Sequence, residues 1–83
     1  MAVETQTRFP RNAVAITKSD TTRFGRPMTV YVGTAGTVAV KPWDNHATTV
    51  TFVGLLAGSV IPLQVVAVMS TSTTADNFVG VFD

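Results

Sequence analysis

An 83-residue chain with no cysteine and one histidine forms a single small domain, and a domain of that size buries a smaller share of its surface than a larger one does. Disulfides are excluded and a histidine-rich metal centre has no ligands to draw on, so of the usual supports for a small fold only partner subunits remain. Charged residues make up 13% of the chain and apolar ones 46%. Typical soluble domains carry about 25% charged residues. The surplus apolar surface therefore reads as subunit interface, and an oligomer is expected.

The net charge of +1 argues against nucleic acid as a partner, because phosphate binding needs many cations on one face. The charge is unevenly spread. Up to Pro27 the balance is +3, and beyond it −2, a polarity that suits head-to-tail contacts or an acidic partner surface. The opening Met1–Gln6 lacks the pattern of a secretory signal. Val60–Met69, broken by Pro62 and Gln64, falls short of the roughly 20 residues a membrane helix needs. Neither export nor a membrane partner is expected, and the lack of cysteine suits assembly in a reducing cytoplasm.

Residues 1–12 read as an N-terminal arm, with Phe9–Pro10 its apolar anchor and Arg8 and Arg11 beside it. These four are the candidate contacts with a shell or a neighbouring subunit. Residues 13–83 read as the β-domain. Valine and threonine occur fourteen times each and leucine three times, a balance that favours the pleated surface of a sheet over a helix.

In chain order, the first short strand is expected at 13–17, followed by a turn-rich stretch in which Ser19–Asp20–Thr21 cap a turn with their short polar side chains. Met28–Val32 and Thr37–Lys41 alternate around Gly33–Gly36 and read as a β-hairpin, each strand with one buried and one wet face. Thr48–Val53 puts Val50 and Phe52 on one side. Ser59–Met69 is the longest strand and is apolar on both faces, so it belongs at the sheet centre or in an interface, with Pro62 at a strand start or bulge. A polar surface loop over 70–76 leads to a last strand at 77–82. The expected fold is all-β, a small antiparallel sandwich or barrel of five to six short strands.

No residue set carries a reaction. Ser19, Asp44 and His46 are triad residue types, but Asp44 and His46 share one short loop and no nucleophile elbow surrounds Ser19. Neither a metal site nor a cofactor is expected, and the Gly33–Gly36 segment lacks the lysine and following helix of a phosphate loop. Tyr31 and Trp43 are the candidate ligand platform for a sugar. Arg23, Arg26 and Trp43 are candidates for the subunit interface, where arginine and tryptophan are enriched.

The order of motifs resembles a known family. Ala13–Asp20, Val30–Val38, Val50–Gly54, Ala57–Leu63 and Thr71–Ala75 together are similar to the head-spike base proteins of gene transfer agents and related tailed phages of alphaproteobacteria, over about residues 13–82. The resemblance implies a non-enzymatic structural protein on the capsid surface of a virion, partnered by the major capsid protein, by its own copies in a cyclic homo-oligomer, trimer or pentamer, and by a spike fibre that it could support. Two positions depart from the family pattern: Lys18 replaces a proline, and Gln64 stands where the long strand carries arginine. Gln64 thereby joins the interface candidates. A cement protein decorating the lattice fits these departures. A receptor- or carbohydrate-binding module and a neck or tail component are the alternatives.

Overall fold

The β-branched runs become six strands: β1 (Asn12–Ile16), β2 (Met28–Val32), β3 (Gly36–Pro42), β4 (Val50–Leu55), β5 (Ser59–Val68) and β6 (Phe78–Phe82). The structure, a computed structural model, describes residues 10–83. Every strand pairing is antiparallel, in one sheet of order β1-β6-β2-β5-β3-β4, and the described residues contain no helix. The all-β expectation holds, with six strands.

The long strand β5 sits between β2 and β3, the first of the two places its apolar faces allowed. Its first half pairs with β2 and its end with β3. Two irregularities let one strand serve both. Thr29 faces Gln64 while Tyr31 faces Val60, so Val30 alone spans Ile61–Leu63. Pro62 lies in that bulge, where its missing N–H interrupts no ladder. Farther on, Lys41 faces Ala67 and Pro42 faces Val65, which leaves Val66 without a partner on β3. Its carbonyl instead accepts from the Phe24 amide at 2.7 Å, and the Val68 carbonyl accepts from Ser19 N at 2.9 Å. The β1–β2 connection thus closes the side of β5 that β2 does not reach.

Valines 30 and 32 of β2, 38 and 40 of β3, Ile61 and Val65 of β5 and Phe78 of β6 meet in one buried cluster. Ile16 of β1 and Phe52 of β4 pack against it. Since all six strands contribute to one cluster, the sheet curves around its core. Each fully buried side chain of this kind contributes roughly 1.5–3 kcal/mol relative to exposure.

Two expectations need correction. Strands β2 and β3 form no hairpin, because β5 lies between them. Gly33–Gly36 is a crossover held by the segment before β6: Thr34 N donates to the Asp76 carbonyl (3.1 Å) and Thr37 N to Thr74 Oγ1 (2.9 Å). The hairpin between sequential strands is β3–β4. Nor does β3 have a wet face, for Ala39 is fully buried. The start of the 70–76 segment, read as a surface loop, lies along that strand with Met69 before it: Met69 N donates to the Ala39 carbonyl (2.8 Å), and Ala39 N donates to Thr73 Oγ1 (3.0 Å). Ser70–Ser72 are exposed, while Thr73 and Ala75 are buried.

Candidate functional site

Two side chains, Lys18 and Asp20, fasten the β1–β2 connection to the segment before β6, and Ser19 between them caps the connection's own turn. Lys18 Nζ donates to the carbonyls of Thr73 (3.3 Å) and Ala75 (3.2 Å). Ser19 Oγ accepts from the amides of Thr21 and Thr22 (both 3.3 Å) and from the Thr22 hydroxyl (3.1 Å), the turn cap its sequence suggested. Asp20 accepts from Ser70 N (2.9 Å), Thr71 N (2.8 Å) and the Thr71 hydroxyl (2.5 Å). Donors aimed at a carboxylate favour its charged form, and the Thr71 hydroxyl leads in holding the Asp20 carboxyl below the ordinary aspartate range. A depressed folded value gives stability that is complete above the unfolded value of about 3.9 and is lost as pH falls through the folded one. Asp20→Asn is therefore expected to lower the thermal midpoint at neutral pH and to make no difference well below the carboxylate range. Equal effects at both pH values would contradict this assignment.

The outward face of the β1-β6-β2-β5 half carries a register row of Ala15, Val79, Tyr31 and Val60. A second row holds Ala13, Val81, Thr29 and Gln64. No charged residue falls in either. Tyr31 is 41% and Val60 56% exposed. Beyond this face, the end of β4 and the turn that joins it to β5 carry the two most exposed large apolar side chains among the described residues, Val53 on the strand at 77% and Leu56 in the turn at 73%. No charged side chain occurs between His46 and Asp76, so the turn supplies no charge of its own. Sequence reasoning passed over Val53, Leu56 and Val60, although that uncharged run was there to be read.

Gly54 shapes this turn. Gly36 faces Leu55 while Val38 faces Phe52, so Val53 and Gly54 together oppose Thr37. Gly54 takes φ +75°, the left-handed region that glycine enters without steric cost. Ser59 then closes the turn, its amide donating to the Leu56 carbonyl (3.1 Å) and its Oγ accepting from Leu56 N (3.2 Å).

The sequence-derived interface residues come together around three shallow grooves. Trp43 and Gln64 line one beside Pro42 and Pro62, and the Trp43 amide donates to the Gln64 carbonyl (3.0 Å). Arg23 shares a second with Trp43, His46 and Val66. Arg26 and Gln64 share a third with Pro10, where the Arg26 guanidinium stands 4.9 Å from the centre of the Phe82 ring, a cation–π distance. Trp43 adjoins Gln64, whereas Tyr31 stands across from Val60, four residues back along β5. The two aromatics thus occupy different stretches of the strand. Of the arm candidates, Pro10 and Arg11 are exposed, and Arg8 and Phe9 lie outside the described residues. Among the described residues no three acidic, histidine or cysteine side chains are placed to hold a metal ion.

No protein-family model matches the chain, and no curated protein sequence does. Among solved structures, the fold is similar to a chain of the capsid of a native GTA (gene transfer agent) particle, computed with C5 symmetry. That likeness has 33% identity and a TM-score of 0.72 and covers 87% of this chain and 82% of that one. The chain belongs to the family of this gene-transfer-agent capsid chain. The likeness extends over more than four fifths of both chains. It bears out the resemblance drawn from the motifs at the level of the gene-transfer-agent capsid.

Proposed function

We propose that the chain is a virion structural protein that decorates the capsid surface of a gene transfer agent or tailed phage, as a cement protein or the base of a head spike. Its partners are the major capsid protein and further copies of itself. The observation that carries this reading is the 33% identity to a chain of a native GTA capsid across 87% of the sequence. The surface supports it: the exposed apolar residues lie on an uncharged sheet face and turn, the composition expected where a small domain meets other subunits. A protein of this kind works by binding the assembled lattice better than free capsid subunits, which shifts assembly by mass action.

The arm is the proposed grip on the shell, through Arg8, Phe9, Pro10 and Arg11. Deleting residues 1–11 stops short of β1 and leaves the core strands whole. Occupancy on purified particles is expected to fall at least about tenfold, the loss of one charge-assisted contact worth roughly 1.5–3 kcal/mol, with the far-UV circular dichroism unchanged. Full occupancy after the deletion would remove the arm from the attachment. Absence of the intact chain from particles would sink the decoration role itself.

A further inference from the structure

We infer that the chain's own N-terminal segment, residues 1–9, lies as a strap along the three grooves that lead to Trp43, with Glu4 set against Arg23. The inference goes beyond the decoration reading and does not rest on it, because the free chain tests it.

The grooves form one track. The first holds Pro10, Arg26, Gln64 and Phe82, the second Gln64, Pro62, Asp44 and Trp43, and the third Trp43, Arg23 and His46. Gln64 is shared by the first two and Trp43 by the last two, so each groove adjoins the next. A track that passes from Pro10 to Arg23 suits an extended segment better than a compact ligand.

Pro10 sets the direction of the residues before it. It stands two residues ahead of β1, yet it lines the same groove as Gln64 of β5, and β6 and β2 lie between those two strands. The chain therefore comes to β1 across the end of the sheet, from the side of β5 and Trp43. Reach agrees with this path. Trp43 follows the last residue of β3, and β3 is four strand spacings from β1, roughly 19 Å at about 4.8 Å each. From Pro10 back to Glu4 an extended chain covers roughly 20 Å.

Charge and side-chain order fit the same path. Val3, Thr5, Thr7 and Phe9 alternate with Glu4, Gln6 and Arg8, the two-residue period of an extended segment. Glu4 is the only acid in residues 1–9, and it comes level with the groove that holds Arg23 and His46. Arg8, nearer Pro10, comes level with the groove that holds Asp44. Arg23, Asp44 and His46 are all exposed, so opposite charges meet at both places without burying either. A tethered segment has an effective concentration on the order of millimolar, so even a contact of millimolar affinity keeps it seated about half of the time. The grip proposed for the same arm then requires the shell to draw it out of this track.

Trp43 is the only tryptophan and reports directly on the strap. In the free chain its emission is expected at shorter wavelength than in a chain lacking residues 2–9, with acrylamide quenching at least about twofold weaker, and circular dichroism checks that both are folded. Glu4→Arg should move emission and quenching toward the values of the shortened chain, and Arg23→Glu added to it should restore them. Equal quenching of the full and shortened chains would overturn the inference, as would no recovery in the double variant. Protection that fades over about a hundredfold dilution would assign the segment to another copy, since a tethered strap is indifferent to concentration, and would overturn it too. Should the shortened chain fail to fold, the Glu4→Arg and Arg23→Glu pair decides alone. A chain that shows this protection but never attaches to capsids would sink the decoration reading and leave the strap standing.

Discussion

Replacing Phe78 by alanine is expected to remove a large share of the stability of the domain. Phe78 lies on β6 across from Ile16 on one side and Val32 on the other, with 2% of its surface exposed, at the place where the curved sheet turns its valines inward. Phe→Ala in a packed core costs about 3–5 kcal/mol, because the lost transfer free energy is joined by the cavity left behind. At 0.05–0.15 kcal/mol per residue, a chain of this length has a total margin of only about 4–12 kcal/mol. The urea midpoint of Phe78→Ala should therefore fall by at least about a quarter, whereas Val53→Ala, at a side chain 77% exposed, should stay within about 0.5 kcal/mol of the natural chain. Equal midpoints for the two variants would show that the core is not where the fold places it.

The contrast between Phe78 and Val53 marks what the sequence could and could not reveal. Strand identity was legible because branched side chains alternate along most strands, and the two apolar faces of β5 narrowed its place to the sheet centre or an interface. Pro62 could be assigned to a bulge from chemistry alone, since a residue without an N–H has few places in a ladder. Pairing was harder. Met28–Val32, Gly33–Gly36 and Thr37–Lys41 look the same locally whether the two strands touch or a third lies between them. What separates them is the docking of 74–77 onto the crossover, a contact some forty residues away along the chain. The surplus of apolar residues predicted an interface, but its place depends on which valines the curved sheet turns outward. Composition cannot say that Val30 is buried while Val60 is bare. Lys18 and Asp20 are a similar case: their roles as ties to Thr73, Ala75, Ser70 and Thr71 exist only once residues 50 or more positions apart have met.

That same docking makes Gly33→Ala the second large expected effect. A methyl group at position 33 would overlap the Asn77 carbonyl oxygen and crowd the Asn77 Cβ, and neither can move freely. Asn77 is held at φ +59°, its side-chain amide donates to Thr34 Oγ1 at 2.8 Å, and β6 begins at the next residue. Overlap with backbone has to be relieved by displacing the crossover from the 74–77 segment, which breaks the bonds from Thr34 N and Thr37 N that fix β3 relative to β6. Forcing extra atoms into a packed site costs typically about 1–3 kcal/mol, and the loss of those bonds places this substitution at the upper end. For a domain of this size a loss of about 3 kcal/mol lowers Tm by roughly 12–24 °C. Gly80→Ala provides the control: its methyl would meet the tips of Ile16 and Met28, Cδ1 and Sδ, at 2.7 Å, and flexible side-chain ends can swing aside where a carbonyl cannot. Calorimetry should show a fall in Tm at least twice as large for Gly33→Ala as for Gly80→Ala. The reverse order would mean that the crossover does not rest on the segment before β6, and the separation of β2 from β3 would lose its physical basis.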